Sequence, residues 1–361
     1  MKSRALLIPA LAAGLGVALA ARAGRNRNPY SFEGRSVVIT GGSRGLGLVM
    51  ARQLAGEGAR LAILARDRAE LDRAAQALTR YGGEALALQC DVGDRQQVEE
   101  AIRRVVDGYG SIDVLVNNAG IIQVGPVEHM RVEDFHDAMS VHMWGPLYAM
   151  LAAIPHMRRQ GEGRIVNIAS IGGKIAVPHL LPYAASKFAL VGLSDGMRAE
   201  LAKDNIHVTT VAPGLMRTGS PVNALFKGHH RAEFTWFTLL DSLPLVSISA
   251  ERAARQIIEA CRRGDPELTI TIQARLAVLA SAVSPGLFAR SMQVFNRLLP
   301  GSAGREGDVL RTGWESQSSL SRSPLAGPTY RAAEENNEMA GRVIEATPTI
   351  PSYDGASYAS G

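Results

Sequence analysis

Cysteine is nearly absent from this chain, since Cys90 and Cys261 are the only two among 361 residues. So few cysteines exclude a disulfide framework and indicate a reducing compartment. Aromatic residues make up only 5% of the chain and are not interleaved with a basic stripe, which argues against nucleic-acid binding. No two histidines or cysteines have the spacing of metal ligands, so the sequence predicts no metal site.

Glycine, by contrast, is abundant, with 37 residues, and the net charge of +5 is mild. Short apolar runs alternate along the chain with stretches of helical periodicity. This alternation predicts an α/β protein. The length suits one large domain with extensions, or two modest domains.

A glycine-rich loop follows the first predicted strand, residues 36–40, and leads into an apolar-periodic helix over residues 48–54. Gly41, Gly45 and Gly47 allow a tight turn and a close approach of the backbone to a ligand. The N-terminus of the following helix would point its N–H groups and its dipole at an anion. With a strand before it and a helix after it, this loop predicts the phosphate site of a dinucleotide.

Two arginines favour NADP over NAD as that dinucleotide. The second predicted strand, residues 60–65, ends without the acidic residue that an NAD site uses to bond the ribose hydroxyls. Arg66 follows the strand instead, and Arg44 lies in the glycine loop, so two guanidiniums could grip a 2′-phosphate. Asp67, one residue later, keeps NAD as the less favoured alternative.

Ser170, Tyr183 and Lys187 form a candidate catalytic set. Tyr183 and Lys187 are four residues apart, so on a helix they share one face. A free tyrosine has a pKa near ~10, and an ammonium nearby is expected to lower it toward the working range of an acid/base. Ser170 ends an apolar, strand-like run. By itself the Tyr–Lys spacing also fits a surface pair on an ordinary helix.

Taken with the motifs around them, these residues resemble the short-chain dehydrogenase/reductase family, in its NADP-preferring form. The resemblance covers about residues 34–270. The matching motifs, in family order and spacing, are the glycine loop 40–47, Asp91-Val92, Asn117-Asn118-Ala119-Gly120, Ser170, Tyr183 with Lys187, and Pro213-Gly214. The resemblance implies a Rossmann-like, doubly wound, seven-stranded parallel sheet in a single catalytic domain, residues 30–272.

The resemblance also implies the role of each residue. Tyr183 would be the general acid/base, Lys187 would lower its pKa and hold the nicotinamide ribose, and Ser170 would orient the substrate oxygen. Asp91 would bond the adenine amino group, and Thr218 the carboxamide of the nicotinamide. The implied cofactor contacts are Gly41, Ser43, Arg44, Gly45, Leu46, Gly47, Arg66, Asp91, Val92, Asn118, Ala119, Gly120, Tyr183, Lys187, Pro213, Gly214 and Thr218.

One position departs from the family pattern. Where the family has an asparagine that supports a water in the proton path, this chain has His142, in the stretch 141–145. A histidine can donate and accept, and it titrates near ~6.5. His142 could therefore take part in the proton relay; alternatively, the position tolerates histidine and a backbone carbonyl does the work.

The substrate side is predicted to be apolar. Residues 223–237 would fold over the substrate as a lid. Four aromatic residues would make that lid apolar, or would instead pack against the domain: Phe226, Phe234, Trp236 and Phe237. Residues 178–181 would line the opposite wall. These features favour a lipophilic alcohol or ketone as the substrate.

Both ends of the chain extend beyond the predicted domain. Residues 273–300 predict a helical extension, and residues 301–361 predict a mostly disordered tail with a short helix over 331–346. At the other end, the apolar run 5–21 lies between basic residues. It could be a cleaved signal peptide, a short anchor, or a helix lying on a membrane surface. Since export would separate the chain from reduced cofactor, we favour a membrane-associating segment, residues 1–29.

The sequence therefore predicts an NADP-dependent oxidoreductase that interconverts a hydroxyl and a carbonyl on a small molecule. Basic residues after the apolar run would keep its catalytic domain on the cytoplasmic side of the membrane. Related reactions such as epimerisation or enoyl reduction stay open, as does assembly into a homo-oligomer. The alternative from another class is a catalytically silent NADP-binding regulator or scaffold.

Overall fold

The computed structural model of the chain describes residues 30–83, 85–243, 247–318 and 326–339. The predicted membrane-associating segment, residues 1–29, lies outside the described residues. Among the described residues, no helix combines the length and hydropathy needed to cross a bilayer.

A seven-stranded parallel sheet forms the centre of the domain, as predicted. Its strands are β1 (Ser36–Thr40), β2 (Arg60–Ala65), β3 (Ala85–Gln89), β4 (Val114–Asn117), β5 (Gly163–Ile168), β6 (Ile206–Ala212) and β7 (Glu267–Thr269). Their order in the sheet is β7-β6-β5-β4-β1-β2-β3, and every neighbouring pair is parallel.

Helices cover both faces of the sheet, which is why the central strands read as continuous apolar runs. Among the described residues, the helices of eight residues or more are α1 (Gly45–Gly56), α2 (Arg68–Thr79), α3 (Arg95–Tyr109), α4 (Val132–Met139), α5 (Gly145–Gln160), α6 (Leu181–Leu201), α7 (His230–Ser242), α8 (Ala250–Arg263), α9 (Ile272–Val283), α10 (Pro285–Asn296) and α11 (Gly327–Glu335). A π-helical turn, Ser140–Trp144, joins α4 to α5.

Side-chain alternation along β1 divides the core into two. Val37 and Ile39 face a cluster that includes residues of α1 and α8, whereas Val38 faces a cluster with residues of α3 and α5. All three side chains are fully buried, and each such burial stabilises the fold by about 1.5–3 kcal/mol. Because the strands are parallel, their carboxyl ends and the loops that follow them gather at one edge.

The C-terminal region differs from the prediction of a mostly disordered tail. Residues 301–318 and 326–339 fold onto the domain, and the short strand Arg311–Thr312 pairs with Leu225–Phe226. Of the helix predicted over 331–346, the structure describes residues 331–339, and the helix that it shows is Gly327–Glu335. Composition alone does not predict this order, because two aromatic side chains, Trp314 and Tyr330, pack onto an apolar cluster of the domain and hold an otherwise polar segment in place. We call residues 326–339 the C-terminal strap.

Candidate active site

Ser170 follows β5 and begins a one-turn 3₁₀ helix, Ile171–Gly173. Its hydroxyl accepts a hydrogen bond from the backbone N–H of Gly172 at 2.9 Å, which fixes the serine side chain at the carboxyl edge of the sheet. The N–H of Ile171 donates to the carbonyl of Pro213 at 2.8 Å. The loops after β5 and β6 are thereby joined beside the serine.

Tyr183 and Lys187 lie in the first two turns of α6 and share one face, as their spacing predicts. Lys187 Nζ donates to the carbonyl of Ile168 at 2.8 Å and lies 5.7 Å from the centroid of the Tyr183 ring. A Cβ on Gly172 would lie 3.2 Å from Cε1 of that ring. Serine, tyrosine and lysine therefore converge on one point at the edge of the sheet.

The acidities of these groups are set mainly by burial. Burial raises the pKa of Tyr183, and a hydrogen bond with Ser170 acts in the opposite direction. Burial also lowers the pKa of Lys187 to about 7, because the ammonium is taken out of water. Burial is the larger cause of the shift at Tyr183, and a lowering of that pKa by Lys187 stays a prediction.

His142 lies in the π-helical turn and is fully buried, with both ring nitrogens bonded. Its Nε2 accepts from the N–H of Ile121 at 3.1 Å, and its Nδ1 lies 2.8 Å from the hydroxyl of Ser186. That hydroxyl donates to the carbonyl of Tyr183 at 2.9 Å, so the network assigns the proton to Nδ1. Burial, and then the charge of Lys187, hold the pKa of His142 well below its usual 6.5.

At Gly41 and Gly47 the glycine loop has no room for a larger side chain. A Cβ on Gly41 would lie 2.9 Å from Cα of Ala119, and a Cβ on Gly47 would lie 2.2 Å from the carbonyl oxygen of Gly41. The side chain of Asn118 donates to the carbonyls of Thr40 and Gly41, both at 3.1 Å. The motif after β4 therefore holds the loop after β1, and the pair forms a cradle whose glycines fit a closely approaching dinucleotide.

The two arginines on which the prediction of NADP depends have different neighbours. Arg44 makes a 2.8 Å ion pair with Glu70, which also accepts from the hydroxyl of Ser43 at 3.2 Å. Arg66 is exposed at the end of β2. Asp67 caps α2 by accepting from the N–H of Glu70, so its carboxylate has a structural partner.

The remaining predicted residues border the same edge. Asp91 is half-buried after β3 and accepts from the N–H of Gly93 at 2.9 Å, while Val92 is buried. Gly120 packs against His142, and Leu46 is buried in the first turn of α1. Gly214 and the buried Thr218 follow β6; the Thr218 hydroxyl lies 2.6 Å from that of Ser220.

The aromatic residues of the expected lid belong to a packed cluster. Phe226 and Phe234 are fully buried, and Phe237 nearly so. Ile122, Leu180 and Trp236 are only partly buried against that cluster and line its margin. Packing against the domain, the alternative to a mobile lid, therefore describes the two buried phenylalanines. His179 joins α7 through a 2.8 Å bond between its Nδ1 and the buried carboxylate of Glu233.

Sequence reasoning missed several residues at this edge. Glu70 and Ser186 bond to predicted residues, and their spacing along the chain offers no signal of it. Three more residues, Asn336, Asn337 and Glu338, belong to the C-terminal strap, which lies on the glycine loop. That region had been predicted from its composition to be mostly disordered.

Comparison with known proteins shows which family the sequence resembles. The family model described as short chain dehydrogenase matches residues 35–224. A dehydrogenase/reductase SDR family protein 7-like of Anopheles gambiae is 30% identical over 78% of this chain and 90% of its own. A putative oxidoreductase SadH of Mycobacterium tuberculosis is 30% identical over 72% of this chain and 94% of its own.

Solved structures show the same fold. L-Sorbose reductase from Gluconobacter frateurii, crystallised with NADPH and L-sorbose, superposes with a TM-score of 0.61 at 26% identity, over 67% of this chain and 97% of its own. A putative short-chain alcohol dehydrogenase from Sinorhizobium meliloti gives a TM-score of 0.60 at 28% identity, over 67% of this chain and 96% of its own.

Proposed function

Since this chain belongs to the short-chain dehydrogenase/reductase family, we propose that it interconverts a hydroxyl and a carbonyl on a lipophilic small molecule, with NADP as its cofactor. The observation that carries the proposal is the convergence of Ser170, Tyr183 and Lys187 beside the glycine cradle. Acid/base groups and a phosphate cradle at one sheet edge supply the two things that carbonyl reduction requires, a proton and a site for a hydride carrier.

The cofactor would lie along the carboxyl edge of the sheet. A nicotinamide dinucleotide supplies or accepts a hydride when it is bound. The cradle would bind its pyrophosphate, and Arg66 would bind a 2′-phosphate. Its further contacts, from the adenine to the nicotinamide, would come from Gly41, Ser43, Arg44, Gly45, Leu46, Gly47, Asp91, Val92, Asn118, Ala119, Gly120, Tyr183, Lys187, Pro213, Gly214 and Thr218.

The chain's own residues would handle the proton. Ser170 would orient the substrate oxygen, and the phenol of Tyr183 would donate a proton to it or take one from it. Lys187 is anchored to the carbonyl of Ile168, which keeps its ammonium beside the tyrosine ring. With both ring nitrogens engaged, His142 is proposed to position Ile121 and Ser186 and not to pass protons.

A lipophilic substrate is supported by the half-buried apolar margin of the aromatic cluster, formed by Ile122, Leu180 and Trp236. The alternative function, a silent NADP-binding regulator, has less support because Ser170, Tyr183 and Lys187 are all present and grouped together. Turnover of NADPH with a panel of lipophilic ketones discriminates the two: a silent regulator would bind NADPH and consume none.

The cofactor preference is tested by Arg66→Ala. We expect NADPH to bind the parent protein at least about tenfold more tightly than NADH, and the variant to lose about ten- to a hundredfold of its NADPH affinity, as the loss of a charge-assisted bond implies. Affinity for NADH should not change. Quenching of cofactor fluorescence measures both. Arg68→Ala, which removes an exposed arginine two residues away, is the control; an equal loss for NADH would contradict the assignment.

We also propose that the protein associates with a membrane whose lipids are partly anionic. The predicted segment 1–29 is one contact, and the pair α9–α10 is a second. Apolar side chains on this pair are exposed, among them Ile272, Leu276, Leu279, Val283 and Leu287 at 59–76%. Between residues 272 and 305 the only charged residues are arginines. An apolar and basic surface of this kind suits the headgroup region of a bilayer.

Flotation with phosphatidylserine-containing vesicles tests this proposal. We expect the full chain to float with the vesicles, and the double variant Leu279→Glu/Leu287→Glu to lower its partition coefficient by about tenfold or more, since two apolar side chains lose their burial. Val132→Glu, at a 67% exposed position on α4, is the matched control. Parent-like flotation of the double variant would show that α9–α10 is not in contact with lipid.

A further inference from the structure

The C-terminal strap lies directly on the glycine loop. The carbonyl of Asn336 accepts from the N–H of Gly45 at 2.9 Å. The side chain of Asn337 donates to the carbonyls of Ser43 and Glu70 at 2.9 and 3.1 Å. The two bonds of Asn337 join residues 294 and 267 positions apart in sequence, and together with the bond to Gly45 they place the strap over the start of α1.

Glu338 extends this contact across the cleft. One carboxylate oxygen accepts from the N–H of Gly219 at 2.8 Å, in the loop after β6, and the other accepts from the side chain of Asn223 at 3.1 Å. A Cβ on Gly45 would lie 2.8 Å from the first of these oxygens. The buried carboxylate therefore stands between the glycine loop and the loop after β6.

The start of α1 is the part of the cradle that would bind a pyrophosphate. The first N–H groups of a helix have no partner within the helix, and its dipole is positive at that end. Dinucleotide sites use this combination for the pyrophosphate. Here the carbonyl of Asn336 already accepts from the N–H of Gly45, and the carboxyl group of Glu338 lies beside the same glycine, in the space that a phosphate would need.

We propose that the strap is autoinhibitory: residues 336–338 occupy the phosphate part of the dinucleotide cradle, and cofactor binding requires them to leave it. The inference rests on the proposed function, because it assumes that the cradle takes a dinucleotide. A chain whose competent form is only partly populated binds its ligand with an affinity reduced by that fraction. The strap thus sets the apparent affinity for cofactor.

Docking of the strap buries the carboxyl group of Glu338, and the free-energy cost of that burial makes displacement of the strap easier. Burial raises the pKa of Glu338 to about 7, opposed by the bond from Gly219 and by the charge of Arg44, while Glu70 adds to the rise. Burial, and then the charge of Glu338, raise the pKa of Asp241, a second buried carboxyl group. Docking is therefore favoured when Glu338 is protonated, and it weakens as the pH rises from 4.5 through about 7.

Two substitutions in the full chain test the proposal. Asn337→Ala removes the bonds to Ser43 and Glu70, and Glu338→Ala removes those to Gly219 and Asn223. Each should lower the dissociation constant for NADPH by about five- to fiftyfold, since each deletes two or more hydrogen bonds of the inhibited form. Glu334→Ala, which removes an exposed acid on the same segment, should bind as the parent does. Cofactor-fluorescence titration gives all four constants.

Hydrogen exchange of the strap supplies a readout that is independent of affinity. In the parent, saturating NADPH should speed exchange of the amides of residues 327–338 by about tenfold or more, because the segment leaves the cradle. Slower exchange, or weaker binding by Glu338→Ala, would mean that the strap closes over the cofactor and would overturn the inference. Unchanged constants in both variants would overturn it too. Failure of all four proteins to bind NADPH or NADH would instead defeat the proposed function and the inference with it.

Discussion

Tyr183→Phe should lower kcat for a lipophilic ketone by about 10²- to 10⁴-fold, the range that a general acid contributes, while the NADPH dissociation constant stays within about twofold. The variant keeps the ring, which lies edge-on to the His142 ring at a centroid distance of 5.4 Å. Only the hydroxyl is lost, together with its bond to Ser170. Transfer of the proton therefore fails while packing and cofactor binding persist.

Steady-state kinetics and cofactor titration of the same preparation check this prediction. Retention of a tenth or more of the parent's kcat would remove Tyr183 from the acid/base role.

His142→Asn tests whether His142 takes part in the proton relay. Because the pKa of His142 is held well below 6.5, the ring stays neutral as pH falls toward that value, so replacing it should leave the acid limb of the pH–rate profile unmoved. A shift of the acid limb of the pH–rate profile would show that His142 takes part in the proton relay.

Gly47→Ala should disable the cradle through crowding. The added Cβ would lie 2.2 Å from the carbonyl oxygen of Gly41 and 2.6 Å from Nδ2 of Asn118, and neither backbone nor a bonded amide can yield cheaply. Overpacking of this kind costs about 1–3 kcal/mol of unfolding free energy. Because the loop must shift to accommodate it, NADPH affinity should fall by about tenfold or more. Urea unfolding and cofactor titration measure the two effects.

Gly56→Ala is the matched control for this substitution. Gly56 ends the same helix, and a Cβ there would meet no heavy atom within 4 Å. Alanine favours a helix over glycine by up to about 1 kcal/mol, so this variant should be as stable as the parent or slightly more so. Parent-like NADPH binding by Gly47→Ala would show that the tight loop is not part of the cofactor site.

The parts of the site that could be predicted are those encoded by short-range patterns. The glycine loop, the motif after β4 and the Tyr183–Lys187 pair each lie within eight residues, and their position between strands and helices follows from hydrophobic periodicity. The pairing of Arg44 with Glu70 spans 26 residues and joins the glycine loop to α2, so no short-range sequence pattern indicates it. The bond from the strap to Ser43 spans 294 residues and is still less predictable.

Acidity was the less predictable quantity, because it depends on burial as much as on neighbours. The spacing of Tyr183 and Lys187 predicts that a cation favours the phenolate, but it carries no information on desolvation. Burial raises the pKa of Tyr183 and lowers that of Lys187, so desolvation shifts both groups toward their neutral forms. The same holds for His142: the sequence shows a titratable group, but burial in the fold lowers its pKa and keeps the ring neutral.

The small three-stranded sheet beside the aromatic cluster has a consequence for the order of folding. Leu225–Phe226 pairs on one side with Gln123–Val124 and on the other with Arg311–Thr312, so this sheet is assembled from three distant parts of the chain. Contacts of such high sequence separation form late, since loop closure must precede them. During synthesis, the strands around the glycine loop can assemble while Arg311–Thr312 is still inside the ribosome. We therefore expect a nascent chain to form the glycine cradle before it completes the small sheet.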